Sequence, residues 1–293
     1  MEISLKASFV FYGAALAATL LGFLFNKDWK FKYSVLALFA AWLASTYHIG
    51  ARWYLAGRAP LSNQYESVIF LVWAFVGVYL LFKHYSGREL EWLAPWTGLV
   101  AVLSMGGASF LPSEISPLVP ALQSNWLFIH VSTVMTGYGA LLLSFLGAAV
   151  FSFMGKSEHK EHKDHKDHKD HHKEHKDHKA DHKEHKAGHE DRRKSLESLI
   201  YRACLVGFWL LTLGIITGAV WANSAWGSYW SWDPKETWSL ITWLYYAVAI
   251  HLRRTKGWRD KKFAGLMLWG FVLVMFTYFG VNYLMSGLHS YGG

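Results

Sequence analysis

Long apolar runs separated by short polar segments dominate the chain. A bilayer core about 30 Å thick requires roughly 20 predominantly apolar residues per helix. Eight segments meet this requirement and predict eight transmembrane helices, at residues 6–25, 33–55, 65–83, 91–110, 126–154, 199–221, 236–253 and 263–286. The fourth is the weakest prediction, because Pro95 and the Gly106-Gly107 pair interrupt it. The pattern therefore predicts an all-α, polytopic integral membrane protein.

One segment breaks this pattern, because residues 156–194 repeat His-Lys-Asp or His-Lys-Glu almost without a break. It contains 13 of the 29 Lys and Arg residues, 11 of the 21 acidic residues and 11 of the 16 histidines. Its low hydrophobicity cannot bury a core, so it predicts a solvated cytoplasmic loop or a charged helical extension. The chain is thereby divided into five helices at 1–155, this His/Lys tract at 156–194, and three helices at 195–293.

Histidine-rich tracts also bind Zn²⁺, Ni²⁺ or Cu²⁺. Histidines three residues apart wind gradually around a helix, so the tract specifies no single closed metal site. A divalent metal on the tract is therefore a secondary hypothesis beside a structural or buffering role.

Lys and Arg are distributed unequally between alternate loops. They concentrate at residues 27–32, 83–88, 156–194 and 253–262, whereas the opposite loops contain only Lys6, Arg52, Arg58 and Lys235. Because cytoplasmic loops carry the excess of positive charge, both termini are predicted on the periplasmic side. The same distribution accounts for the net charge of +8 without a nucleic-acid partner. The expected location is a bacterial cytoplasmic membrane, with the plastid thylakoid as the alternative.

Tryptophans cluster in residues 221–243, which read WANSAWGSYWSWDPKETWSLITW. An aromatic belt at the membrane interface explains part of this enrichment but not its concentration around one charged tetrapeptide. Indoles offer wide rigid faces and an N–H donor. Lys235 could pair with a carboxylate, and Pro234 suits the first position of the next helix. The segment predicts a site for a large planar ligand such as a porphyrin, with an interfacial belt as the alternative.

Five histidines lie outside the tract: His48, His84, His130, His251 and His289. His130 and His289 fall on the same predicted side as the tryptophans, and six-coordinate haem iron requires two such imidazoles. The alternative for each is a structural hydrogen bond, which is also the preferred role for His48 and His84.

His251 lies near the cytoplasmic end of the seventh helix. An ionisable group at membrane depth indicates a functional site, with snorkelling beside Arg253 and Arg254 as the alternative.

Polar residues also precede the third predicted helix. Asn63, with Glu66 three residues later, predicts a capping box. Arg52 and Arg58 lie on the same outer side, where they could meet ligand carboxylates or position the helices.

The segment WGSYWSWDPKETWSLITW resembles the tryptophan-rich WWD signature of the haem-handling proteins of cytochrome c maturation, namely the CcsA/ResC, CcmC and CcmF proteins. WDPKE, followed by a helix ending in His-Leu-Arg, is most similar to CcsA. The same holds for PLSNQYES before the third helix, NWLFIHV around His130 and GLHSYGG at the end. The resemblance covers nearly the whole chain except the His/Lys tract.

This resemblance implies a haem lyase of system II cytochrome c biogenesis, a holocytochrome-c synthase that works with the membrane partner CcsB/ResB. Its substrates would be haem b and the CxxCH cysteines of an apocytochrome c. His130 and His289 are expected to ligate the haem iron, and His251 to hold haem within the membrane. The other expected haem contacts are Trp226, Trp230, Trp232, Lys235 and Trp238. The residues expected in catalysis are His130, His289, Trp232 and Asp233.

Two other functions compete with this one. A haem delivery or export protein without ligation activity, as in CcmC, is disfavoured by WDPKE together with PLSNQYES. A metal-ion transporter with the His/Lys tract as its sensor predicts acidic or His residues facing each other within the spans, and the first four spans contain almost none. The single cysteine, Cys204, lies in an apolar run, so the chain is not expected to supply thiols.

Overall fold

The computed structural model describes residues 2–24, 30–157 and 174–287, and these ranges contain helices and loops but no strand. The α-helices are α1 (Glu2–Leu24), α2 (Lys30–Ala56), α3 (Gln64–Ser86), α4 (Ala94–Ala108), α5 (Asn125–Ser157), α6 (Glu174–Trp226), α7 (Pro234–Thr255), α8 (Asp260–Met275) and α9 (Val281–Leu284). A π-helical turn, Phe276–Gly280, joins α8 to α9 into one rod, so the described residues form eight helical rods. The all-α prediction is confirmed.

Six of these rods are long and apolar enough to cross a membrane, namely Leu5–Gly22, Phe31–Ala56, Gln64–Ser86, Asn125–Met154, Glu190–Trp226 and Asp260–Leu284. The chain is therefore a multi-pass membrane protein with at least these candidate spans. The predicted spans at α4 and α7 do not meet the same criterion. Helix α4 has 15 residues and follows a 3₁₀ segment, and α7 carries charged residues at both ends. Spanning by these two helices stays a prediction.

Local sequence determines where two of the helices begin. Asn63 caps α3, because its side-chain oxygen accepts a hydrogen bond from the backbone N–H of Glu66 at 2.8 Å. The predicted capping box is only half formed, since the Glu66 carboxylate accepts from the N–H of Ser62 at 2.9 Å. Helix α7 has the complete box, with Asp233 as the N-cap, Pro234 at the first position and Glu236 returning the bond.

Helix α5 lies at the centre of the bundle and packs against α3, α6 and α8, while α1 and α2 pack together beside α4. Its approach to α3 is close, because a Cβ added at Gly139 would lie 2.9 Å from the backbone nitrogen of Phe75. A glycine at this position allows the two helix backbones to come together.

Alternate loops meet at opposite ends of the bundle. We call the end formed by residues 57–63, 109–124 and 227–233 the tryptophan end, and the end formed by 87–93 and 256–259 the basic end. At the tryptophan end, Tyr283 Oη donates to Gln64 Oε1 at 2.7 Å. At the basic end, Arg253 and Glu197 form an ion pair of 2.9 Å. The predicted alternation of loops agrees with this arrangement, and which end faces the periplasm stays a prediction.

Candidate functional site

A cavity of about 450 Å³ lies at the tryptophan end, between α5, α6, α7 and the π-helical turn. Its volume is within the usual range of ligand pockets, roughly 300–1,000 Å³. One wall is apolar and consists of residues from α5 and α6, which are Leu127, Val131, Val134, Leu211, Ile215 and Ala219. A second wall is polar and consists of Ser67, Lys235, Glu236, Ser239, Thr277 and Tyr278. The cavity therefore suits a ligand with one apolar and one charged side.

His130 lines the cavity from α5, and its ring orientation is determined by α6. The Nδ1 atom of His130 lies 2.8 Å from the carbonyl oxygen of Gly214. A carbonyl oxygen can only accept, so Nδ1 carries a proton, and in the neutral form of the ring the lone pair is on Nε2. The ring stacks on Trp221, with centroids 5.9 Å apart and an interplanar angle of 11°. Hydrogen bonds of this kind fix the tautomer of metal-ligating histidines.

The six tryptophans of residues 221–243 divide into three groups. Trp221, Trp226 and Trp230 line the cavity, and the rings of Trp221 and Trp226 meet edge to face at 4.8 Å. Trp232 is 68% exposed and contacts Trp230 edge-on at 5.7 Å. Trp238 packs against Phe276 at 4.4 Å, and Trp243 donates through Nε1 to Thr212 at 2.8 Å. The last two therefore support the helices behind the cavity.

The polar wall is built on the start of α7. Lys235 lines the cavity, and its Nζ donates to Asn282 Oδ1 at 2.7 Å. Burial lowers the pKa of Lys235 to about 8, although the neighbouring Asp233 carboxylate acts in the opposite direction. Asp233 itself is buried as the N-cap of α7. The Glu236 carboxylate accepts from the N–H groups of Ser231 at 2.8 Å and Asp233 at 3.2 Å, which ties the tryptophan segment to α7.

The sequence did not indicate the hydroxyl groups on this wall. Ser67 Oγ and Tyr278 Oη lie 2.6 Å apart although 211 positions separate them in the chain. The rings of Tyr278 and Tyr138, which also lines the cavity, meet edge to face at 6.2 Å. Thr277 and Tyr278 belong to the π-helical turn. Such turns occur frequently at functional sites, but their position cannot be read from hydrophobic periodicity.

Other predicted site residues lie elsewhere. His251 is exposed near the basic end of α7, 15 residues beyond Glu236 and therefore about 22 Å along the helix axis. His48 is buried within α2, and His84 is exposed at the end of α3.

His289 lies outside the described residues. Of the His/Lys tract, residues 158–173 also lie outside them, and the backbone from Glu174 continues into α6 as a helical extension.

Arg52 and Arg58 both bind Glu66, at 2.8 and 3.1 Å respectively. The Glu66 side chain is fully buried and that of Arg52 is 2% exposed. Removing one partner from a buried ion pair typically costs about 3–5 kcal/mol. Of the two predicted roles for these arginines, the structure therefore supports the positioning of helices.

A family model described as "Cytochrome C assembly protein" matches residues 61–289 of the chain. The chain belongs to the cytochrome c assembly protein family. The cytochrome c biogenesis protein CcsA of Mesostigma viride is 42% identical over 248 residues, which cover 83% of this chain and 81% of the relative. CcsA of Prochlorococcus marinus (strain NATL1A) is 43% identical over 254 residues, covering 82% of this chain and 79% of the relative. The resemblance to CcsA is confirmed.

The fold of this cytochrome c assembly protein also has a solved counterpart. A structure titled "Cytochrome c Heme Lyase CcmF" superposes with a TM-score of 0.63 at 16% sequence identity. The match covers 94% of this chain but 46% of CcmF, so the chain spans about half the length of that protein. At this identity the similarity establishes a shared fold. The family match begins just before α3, so it includes every described element that lines the cavity.

Proposed function

We propose that this cytochrome c assembly protein binds haem as a substrate in the cavity and, together with CcsB/ResB, attaches it to the CxxCH cysteines of an apocytochrome c. The observation that carries the proposal is the His130–Gly214 hydrogen bond of 2.8 Å. In the neutral ring this bond leaves Nε2 of His130 unprotonated, as iron ligation requires. The imidazole lines a cavity that tryptophans also line.

The two walls of the cavity match the apolar ring and the charged propionate edge of a porphyrin. The apolar wall, with Trp221, Trp226 and Trp230, suits the ring, and Lys235 on the polar wall suits a propionate. His130 supplies one iron ligand, and we propose His289 as the second. Trp232, exposed beside Trp230, is proposed to cover the outer edge of the haem.

Two further predicted residues act through other groups in this proposal. Asp233 caps α7 and thereby holds Lys235 at the polar wall. Trp238 supports Phe276, at the start of the turn that carries Tyr278. Both residues therefore help to preserve the shape of the cavity.

Ligation needs no external oxidant or reductant. Each cysteine S–H of the apocytochrome adds across one vinyl C=C of haem, so that sulfur bonds to one carbon and hydrogen to the other. Cys204 of this chain is buried, which agrees with a substrate that supplies both sulfurs. The catalytic contribution of the cavity is to hold vinyl and thiol groups within reach, and the incoming histidine of CxxCH replaces one protein ligand.

The proposed route of haem begins on the cytoplasmic side. His251 is exposed on the surface of α7, where a histidine of CcsB/ResB could approach it within the membrane. Both termini then lie on the periplasmic side, in a bacterial cytoplasmic membrane or the equivalent thylakoid membrane.

The test is the absorption spectrum of the purified protein, alone and with CcsB/ResB, for wild type, His130→Ala, His289→Ala and the control His84→Ala. We expect co-purified haem with a bis-imidazole spectrum that is lost or altered in the first two variants and retained in the control. A wild type without haem in both preparations would refute the site. Haem binding without covalent product on a CxxCH reporter would instead identify a delivery protein of the CcmC type.

A further inference from the structure

The segment between α4 and α5, residues 109–124, forms part of the cavity wall, and we call it the strap. Val119 and Leu122 of the strap line the cavity. Three of the six prolines of the chain lie in it, at positions 112, 117 and 120, and proline restricts the backbone. Residues 112–117 are all exposed. The middle of the strap therefore has little burial of its own to hold it in place.

Two arginines, one in α2 and one in the loop between α2 and α3, bind the backbone of the strap. Nη2 of Arg52 donates to the carbonyl oxygen of Ser113 at 2.8 Å. Nη2 of Arg58 donates to the carbonyl oxygen of Ser116 at 3.1 Å. These contacts use backbone oxygens, so they hold the path of the strap whatever side chains it carries.

Glu66 fixes the orientation of both arginines. Its Oε1 accepts from Nε of Arg52 and its Oε2 from Nη1 of Arg58. The planar guanidinium group presents its donors in a rigid fork, so binding Glu66 on one side aims the remaining donors at the strap. The backbone N–H and the hydroxyl of Ser62 also donate to Oε2, at 2.9 and 3.0 Å. The buried carboxylate of Glu66 thus positions both arginine side chains.

We propose that Glu66, Arg52 and Arg58 are positioning residues of the substrate cavity, which clamp the strap so that Val119 and Leu122 close one side over the bound molecule. The clamp gives Ser62 and Glu66 of PLSNQYES a role beyond the start of α3. That the bound molecule is haem rests on the proposed function, whereas the clamp does not.

The first measurement follows the strap without any haem. Glu114 is exposed in the strap, and a glutamate-specific protease cuts after it. In detergent-purified full-length protein, Arg58→Ala should increase the rate of cleavage at Glu114 about tenfold, the effect expected for losing a charge-assisted hydrogen bond. Glu91→Gln, which removes the ion pair with Lys83 at the basic end, is the matched control and should leave this rate unchanged. Unchanged cleavage in Arg58→Ala would overturn the clamp.

The second measurement asks whether the clamp acts on the cavity. In haem-loaded protein, carbon monoxide should bind the reduced iron several-fold faster in Arg58→Ala and in Leu122→Ala than in wild type. If Arg58 acts through the strap, the double variant should show no more than the larger single effect. Arg58→Lys should restore part of the slow rate, because the lysine ammonium keeps the charge and can donate hydrogen bonds but lacks the planar fork.

The outcomes separate the two proposals. Additive effects of the two substitutions, or an unaltered carbon monoxide rate in Arg58→Ala, would overturn the positioning role while haem binding stands. A wild type that carries no haem would refute the proposed function, and the cleavage rate would still decide whether the clamp exists.

Discussion

His130 and Gly218 face each other across the α5–α6 interface so closely that a Cβ on residue 218 would lie 2.6 Å from Cε1 of His130. The imidazole cannot easily move away, because it is bonded to Gly214 on one edge and stacked on Trp221. Glycine at this position therefore determines where the ring lies in the cavity.

Gly218→Ala should displace His130 and weaken haem binding. Overpacking of this kind typically costs about 1–3 kcal/mol, so we expect roughly a tenfold loss of affinity or more. The measurement is the haem content and absorption spectrum of the purified variant. Gly265→Ala is the matched control, because nothing lies within 4 Å of a Cβ added at this position. Equal haem content in both variants would contradict the proposed role of His130.

Haem binding should depend on the protonation of Lys235. Its pKa is lowered to about 8 by burial, so the free protein holds an ammonium below this pH and loses it above. A bound propionate favours the ammonium, and haem affinity should therefore be constant below the pKa and decrease as the pH rises above 8. Lys235→Arg, which stays charged, should remove the decrease. A titration of haem affinity from pH 6 to pH 10 gives the answer, and identical profiles would exclude this contact.

The same pKa sets a dependence of stability on pH in the haem-free protein. Between about 8 and the ordinary lysine value of 10.5, the unfolded chain binds more protons than the folded chain. The contribution of Lys235 to the free energy of unfolding should then rise with pH across this window and be absent in Lys235→Met. Thermal unfolding in detergent at several pH values measures it. A wild-type profile that remains in Lys235→Met would assign the dependence to other groups.

Trp226 and Trp232 should affect different steps. Trp226 lines the cavity, so Trp226→Ala is expected to reduce haem content. Trp232 is largely exposed, so Trp232→Ala is expected to retain most of the haem and to reduce its attachment to the apocytochrome. Spectra report the first effect and covalent haem on a CxxCH reporter reports the second. Equal losses of haem in the two variants would argue against this division.

The His/Lys tract is expected to be dispensable for haem ligation. Replacing the histidines of residues 156–189 with glutamine should leave haem content and ligation unchanged, because the tract belongs to the loops predicted on the cytoplasmic side. Equilibrium dialysis with Zn²⁺, Ni²⁺ and Cu²⁺ tests the metal hypothesis separately. Loss of haem in the glutamine variant would connect the tract to the main function.

Several features were predictable because they depend on residues close together in the chain. The long apolar runs predict membrane helices, since each span must satisfy its backbone hydrogen bonds internally. Asp233-Pro234-Lys235-Glu236 predicts the start of α7 by its capping chemistry. The motifs around His130 and the tryptophans were sufficient to identify the CcsA resemblance that the relatives confirm.

Other features depended on packing between distant segments. The division of the tryptophans into cavity-lining and supporting groups follows from how α6 and α7 meet the rest of the bundle, and spacing carries no signal for it. The predicted capping box at Asn63 was half wrong for the same reason, since Glu66 is drawn into an ion cluster with Arg52 and Arg58.

The sequence by itself determined the six candidate membrane spans, the charged tract, the family and the residue types available for haem chemistry, because hydrophobicity and capping act locally. Only the tertiary structure decided which nitrogen of His130 carries its proton, that Ser67 meets Tyr278 on the cavity wall, and that two arginines hold the strap. These contacts join residues 58 to 211 positions apart. They form only when buried polar groups find partners as the helices pack, and hydrogen-bond satisfaction in the assembled bundle selects them.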